Sequence, residues 1–286
     1  MGIKYGMNTL LFEARFTNEA VKKFPRYKEI GFDGVELAIQ EKGDIDTGFI
    51  NEKLAENNLV CGSLCALMGA GTDLRGPSQS AIDGGKQYIR DLVDTAVKLG
   101  AEVVVGPLYS AVGRAEMVED EQRKRDWALV KESLKELCIY AEDKGIYLAL
   151  EPLNRFETDF MNICSDAVKM IDEVGSPMLK IHLDTFHMAI EEKSSADAIR
   201  SAGDLLYLLH ASENDRGAPG TGQVDWKGVA QALKDTSYDR WVVIESFTPE
   251  VEIIARAASI WRQTEKDGYA LAEKGLNYLK TLFAGM

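Results

Sequence analysis

The chain has 286 residues, of which 45% are apolar and 28% charged, a globular balance that excludes a disordered or low-complexity polypeptide. Its formal net charge is −13. That field repels phosphate backbones, and the densest basic run, Arg123, Lys124 and Arg125, sits among acidic neighbours, so no nucleic-acid partner is expected.

Met1–Asn8 runs straight into strand-like sequence, so no N-terminal leader is expected, and no apolar run approaches the roughly 20 residues that a membrane span requires. Strands are predicted at Ile3–Asn8, Gly34–Leu37, Val60–Leu64, Val103–Gly106, Tyr147–Glu151, Lys180–Asp184, Leu206–His210 and Val242–Glu245. Each is short, rich in β-branched residues and bounded by turn signals, as buried parallel strands are. Amphipathic helical patterns fill the intervals: Asn18–Ile30, Asp46–Asn57, Ser80–Leu99, Glu121–Lys144, Ser165–Val174, Ser195–Ala202, Trp226–Lys234 and Val251–Phe283. Ser165 or Asn162 is placed to cap the fifth helix, and Gly100 and Gly145 stand where helices stop. The last region is long enough for two helices and offers surface for self-association.

Eight βα units with short connections predict an α/β fold, a (β/α)8 TIM barrel, in one domain spanning residues 1–286. An open doubly wound sheet is the alternative. The four cysteines, Cys61, Cys65, Cys138 and Cys164, form no CxxC pair. They read as buried thiols in a reducing, cytoplasmic protein, with Cys61 and Cys65 placed to share a strand face.

In such a barrel, catalytic groups belong at the C-terminal ends of the strands. Four consecutive strands end on Glu151, Asp184, His210 and Glu245. Three carboxylates brought to one barrel mouth repel one another, and a divalent cation is the simplest compensation. Three oxygen donors and one imidazole suit Mn²⁺, Mg²⁺ or Co²⁺ better than a thiolate-rich zinc site does. Of the three histidines, His210 ends a strand and reads as the ligand. His187 lies in the following loop and suits substrate hydrogen bonding. His182 alternates onto the face of Asp184 and reads as structural or as a support to the ligands. Gly217-Ala-Pro-Gly-Thr-Gly222 lacks the Lys-Ser/Thr of a phosphate loop and reads as a turn-rich loop over the site. Its neighbour Arg216 is placed to grip an anionic or polyhydroxylated ligand.

Four motifs in order carry a family resemblance: Glu151-Pro-Leu-Asn-Arg-Phe-Glu157; Leu183-Asp-Thr-Phe-His-Met188 with Ile190-Glu-Glu192; His210-x-x-Glu213-x-x-Arg216; and Ile244-Glu-Ser-Phe247. With the Ile260-Trp-Arg262 segment, the chain resembles the ketose 3-epimerases, which include D-tagatose, D-psicose (D-allulose) and L-ribulose 3-epimerases. The resemblance implies one divalent metal ion, Mn²⁺ foremost with Co²⁺ and Mg²⁺ as alternatives, on Glu151, Asp184, His210 and Glu245. It implies that Glu157, His187 and Arg216 hold a small ketose around C1–C3. Glu151 and Glu245 match the residues that exchange the C3 proton from opposite sides, through a cis-enediolate. It also implies a homodimer or homotetramer. Ala189 departs from the family, which often carries Asn there. Residues 107–115 and the loop after the first strand are expected to meet C4–C6 of the sugar.

The nearest rival is an aldose–ketose isomerase of the hydroxypyruvate isomerase type, moving a proton between C1 and C2. An apurinic endonuclease of the endonuclease IV type needs more histidines than three. A non-catalytic sugar-binding module has little use for two opposed carboxylates.

Overall fold

The computed structural model describes residues 2–284. The strands β1 (Lys4–Asn8), β2 (Gly34–Ile39), β3 (Val60–Ala66), β4 (Val103–Gly106), β5 (Tyr147–Leu150), β6 (Leu179–Asp184), β7 (Leu206–Ala211) and β8 (Trp241–Ile244) pair in sequence order. Every pairing is parallel, and β8 returns to β1 to close the barrel, which sets the open sheet aside. The helices are α1 (Phe24–Ile30), α2 (Thr47–Glu56), α3 (Gln79–Leu99), α4 (Asp120–Lys144), α5 (Cys164–Val174), α6 (Thr185–Glu191), α7 (Ser195–Ala202), α8 (Trp226–Asp235), α9 (Glu252–Ala257) and α10 (Gly268–Leu282). Among the described residues no helix is long and apolar enough to cross a membrane.

Strand alternation divides the core into two layers. Val104, Leu148, Ile181, Leu183, Val242 and Ile244 face outward onto the helices, while Val103, Val105, Ala149, Trp241 and Val243 fill the barrel. Each fully buried aliphatic side chain of this kind contributes about 1.5–3 kcal/mol. Gly100 and Gly145 close α3 and α4 in the left-handed conformation, as their positions predict.

Four expectations are corrected. The first helical region is a 3₁₀ turn, Asn18–Lys23, followed by α1, because Pro25 lacks an N–H and fits only a first helical turn. Neither Ser165 nor Asn162 caps α5. Asp166 reaches back to the N–H groups of Asn162 (3.0 Å) and Ile163 (3.3 Å), while the Asn162 amide bonds the carbonyls of Leu153 and Thr158. The last helical region breaks into α9 and α10, with Ser259 left-handed (φ 58°) after α9 and Asp267 capping α10 at Ala270.

The fourth correction concerns the cysteines. All four are buried thiols, but Cys61 and Cys65 lie on opposite faces of β3. Val35 pairs with Cys61 and Glu36 with Ser63, so Gly62 is an extra residue that shifts the alternation by one. The bulge requires glycine, since a Cβ there would stand 2.9 Å from the Trp241 indole. Ser63 and Cys65 thereby face the barrel interior, and Cys61 faces the helices.

Candidate active site

Asp184 and His210 are the C-terminal and penultimate residues of β6 and β7. Glu151 and Glu245 stand one residue past β5 and β8, yet their N–H groups still bond back to Gly106 (3.0 Å) and Ala211 (3.3 Å). The barrel geometry therefore aims all four side chains at one point. One ligating atom from each lies within 4.8 Å of those of the other three, and all four residues are buried.

His210 presents its two nitrogens differently. Nε2 lies 2.6 Å from Glu36 Oε1, while Nδ1 faces Glu245 (3.4 Å), Asp184 (3.9 Å) and Glu151 (4.0 Å). Glu36 is buried within β2; its Oε1 also accepts from Asn8 Nδ2 (2.7 Å) and its Oε2 from Ser63 Oγ (2.5 Å). Asn8 donates in turn to Glu245 Oε1 at 3.0 Å. Asn8 and Glu36 thus lock two members of the cluster from beneath. The sequence reading missed both. The available signal was a lone carboxylate inside an otherwise apolar, fully buried strand, which demands a partner.

Arg216 is drawn into the cluster. Its Nη1 donates to Asp184 Oδ2 (2.6 Å) and Glu245 Oε2 (2.9 Å), and its guanidinium lies between the rings of Phe186 and Phe247, 4.0 and 4.8 Å from their centroids. The backbone there is left-handed (φ 61°), a conformation that costs a non-glycine residue about 1 kcal/mol or more. It is held by Arg216 N–H to Glu213 O (2.9 Å) and Phe247 N–H to Arg216 O (3.0 Å). Glu213, also buried, ties down the following loop through Gly220 N–H (2.8 Å) and Trp226 Nε1 (2.6 Å). That loop does not stand over the site. A Cβ on Gly275 of α10 would meet the Pro219 ring, so the loop packs against α10, and none of residues 217–222 lines the cavity.

His187 lies on α6, not in a loop, because the Asp184 carboxylate caps that helix through Phe186 N–H (2.7 Å). Its Nδ1 faces the backbone N–H of Asn154 at 3.1 Å and so must be the acceptor. Burial pushes its pKa well below the usual histidine value, with Arg216 adding to the effect, so the ring is neutral and Nε2 carries the hydrogen. Nε2 then stands 3.2 Å from Arg216 Nη2 as a second donor. Two donors this close can be satisfied together by one oxygen that both reach from the cavity side.

From the protein's own charges, the carboxylates diverge. Burial, then crowding by Glu245 and Asp184, raises Glu151 well above the usual carboxylate value, and burial lifts Asp184 to about 6. Burial also works against Glu245, but His210 and Arg216 outweigh it and hold its carboxyl far down. His210 is disfavoured as a cation by burial, yet Glu36 and Glu245 keep it protonated well above its ordinary pKa. His182 is buried in the barrel, edge-on to His210 at 4.0 Å and with Nδ1 3.5 Å from Glu151 Oε2. Burial keeps it neutral.

The donor set fits a divalent cation. Glu151 Oε1 and His210 Nδ1 are buried with no hydrogen-bond partner, and both turn toward the shared centre. Glu36 fixes the His210 ring so that Nδ1 offers its lone pair once a cation replaces the proton, the carboxylate–histidine arrangement common at metal sites.

Above the cluster opens a cavity of about 140 Å³. Glu151, Glu245, His187, Arg216 and Glu157 form its polar floor. Its walls are apolar: Leu10 after β1, Leu67 after β3, Pro107 and Val112 after β4, and Ile254, Ala257 and Ala258 of the α9 segment. Glu157 reaches the floor with Oε1 held by Asn154 Nδ2 at 2.8 Å.

The chain is a parallel barrel with an acidic, histidine-containing cluster at its C-terminal mouth, and residues 24–281 match the family model described as xylose isomerase-like TIM barrel. An L-ribulose 3-epimerase from Methylomonas sp. is 30% identical over 281 residues, covering 97% of each chain. A D-psicose 3-epimerase from Enterocloster bolteae is 32% identical, covering 96% of this chain and 92% of the relative. The crystal structure of a Methylomonas D-allulose 3-epimerase in complex with D-allulose superposes with a TM-score of 0.90 at 31% identity, covering 98% of this chain and 97% of the other. The chain belongs to the xylose isomerase-like TIM barrels, in their ketose 3-epimerase family, and is a carbohydrate epimerase.

Proposed function

We propose that the protein is a divalent-metal-dependent ketose 3-epimerase. It interconverts C3 epimers of free keto-sugars of the D-psicose/D-fructose, D-tagatose/D-sorbose or L-ribulose/L-xylulose type. The observation that carries this reading is geometric: Glu151 and Glu245 are buried at one centre with Asp184 and His210, and both line a cavity that His187, Arg216 and Glu157 also line. Two carboxylates at one cavity can serve as the base and the acid of a proton exchange.

Glu151, Asp184, His210 and Glu245 hold the metal, Mn²⁺ foremost with Co²⁺ or Mg²⁺ as alternatives. Once bound, the cation supplies a Lewis acid that offsets negative charge on the substrate oxygens. One glutamate takes the C3 proton, and the C–H electron pair moves into the C2–C3 bond as charge develops on the C2 oxygen. The other glutamate delivers a proton to C3 from the opposite face, and the carbonyl re-forms. The two exchange roles when the reaction reverses. His187 Nε2–H and the Arg216 guanidinium donate to the oxygens around C1–C3, and Glu157 accepts from a hydroxyl. The apolar walls exclude water from the enediolate.

Among the described residues, five of the nine exposed large apolar side chains, Val112, Met117, Phe156, Ile253 and Trp261, follow strands β4, β5 and β8 at this end of the barrel, which supports self-association as a homodimer or homotetramer. The four buried free thiols support a reducing, cytoplasmic setting.

The test is turnover of D-psicose, D-fructose, D-tagatose and L-ribulose in D₂O with Mn²⁺, Co²⁺ and Mg²⁺ supplied separately. The expected products are 3-epimers carrying deuterium at C3. Aldose products with the label at C1 or C2 would reassign the enzyme as an isomerase, and no exchange at any carbon would sink the reading.

A further inference from the structure

Outside the carboxylate cluster, Arg75, in the loop after β3, is a buried charge with several partners. The residue is 2% exposed. Its guanidinium grips Asp159 with two nitrogens (2.6 and 3.2 Å), donates from Nε to Asp126 of α4 (3.2 Å), and reaches Ser110 Oγ at 3.4 Å. It lies 4.7 Å from the centre of the Phe160 ring. Arg114 joins the group by donating to Asp73 Oδ2 (2.9 Å) and to the Arg75 carbonyl (2.7 Å).

None of these residues belongs to a strand, so closing the barrel does not require them. A buried ion group is weak evidence for a stabilising role, because desolvating such charges offsets much of their attraction. Their arrangement is explained by what they hold. Asp159 lies two residues beyond Glu157, and the same strip is bonded to the loop after β4. Gly113 N–H donates to Glu157 O (2.7 Å) and Asp159 N–H to Arg114 O (3.3 Å), with Arg114 and Thr158 forming a parallel bridge. Glu157 is therefore fixed through its backbone, while its carboxylate stays at the cavity with Asn154 as its hydrogen-bond partner. Val112, adjoining the bonded strip, lines the same cavity.

We propose that Arg75 is a positioning residue for the substrate cavity: by clamping Asp159 it sets where the paired segments 112–114 and 157–159 stand, and so where the Glu157 carboxylate meets the sugar. The proposal rests on reading Glu157 as a substrate contact. A lysine keeps the charge of Arg75 but cannot form the two-nitrogen fork.

The experiment is a double-mutant cycle of Arg75→Lys with Glu157→Gln in the metal-loaded enzyme, reading KM and kcat separately for the ketose turned over best. Arg75→Lys should raise KM about tenfold with a smaller change in kcat, and should raise it no further in the Glu157→Gln background. Asp159→Asn should give the same pattern and replaces Arg75→Lys if that variant does not fold. An equal KM penalty in both backgrounds, or a lowered melting temperature with unchanged KM, would overturn the proposal and leave the role of Glu157 standing. An unchanged KM in Glu157→Gln alone would remove Glu157 from substrate binding and the proposal with it.

Discussion

Glu36 Oε1 and His210 Nε2 meet at 2.6 Å inside the barrel, with neither side chain reaching solvent. This contact decides which nitrogen of His210 faces the three carboxylates. Replacing the carboxylate by an amide, Glu36→Gln, leaves a weaker acceptor and an amide nitrogen that must face Ser63 or His210. The variant should bind Mn²⁺ about 10–100-fold more weakly while its far-ultraviolet spectrum is unchanged. Metal titration calorimetry measures this directly, and undiminished affinity would show that the ring is held in place by packing alone.

Glu151→Gln and Glu245→Gln keep the shape of each side chain but remove its proton chemistry. Each should lower kcat by roughly 10²–10⁴-fold. Comparable activity in both variants, with metal content verified, would exclude a two-carboxylate exchange.

A ligand that binds only the folded protein stabilises it by mass action, by about 2.7 kcal/mol at a free concentration of 100 times Kd. Dialysis against a chelator should therefore lower the melting temperature by roughly 5 °C or more in a chain of this size, and Mn²⁺ should restore it. Scanning calorimetry with and without chelator checks this; identical transitions would mean that the cluster holds no cation.

Burial would raise the carboxyl of Asp159, but the Arg75 fork outweighs it and holds the pKa below the usual aspartate value. The sign follows from linkage. A carboxylate depressed in the folded state stabilises fully above its unfolded pKa, about 3.9, and loses that contribution as pH falls through the lower folded value. Asp159→Asn should thus be less stable than the parent at pH 7, and the gap should narrow below about pH 4. Urea unfolding at pH 7 and pH 3 provides the comparison, and a gap independent of pH would mean that Asp159 acts without its charge.

The sequence displays the barrel because its signals are local. β-branched runs, capping residues and helix-ending glycines each act within a few positions, and the groups at the ends of β5 to β8 stand out because they interrupt apolar runs. Asn8 and Glu36 escape such a reading because their partners come from other strands, His210 being 174 residues beyond Glu36. The Gly62 bulge is equally invisible, since the alternation of β3 shifts only when its pairing with β2 is known. Arg75 meets Asp159 across 84 residues. Nothing beside either residue in the sequence marks the encounter.

The polar floor comes from β5 to β8, while Leu10, Leu67, Pro107 and Val112 bring walls from the first half of the chain. On the proposed function, the groups that would do the chemistry all lie in the second half of the gene, while both halves supply wall. Under that reading, changes in the early loops would retune which sugar is accepted while the proposed proton exchange continued undisturbed. Asn8 and Glu36 are the early residues that lock the carboxylate cluster of the late half. Any recombination that exchanges half-barrels among relatives must carry these two across intact, or the inherited floor will arrive without its foundation.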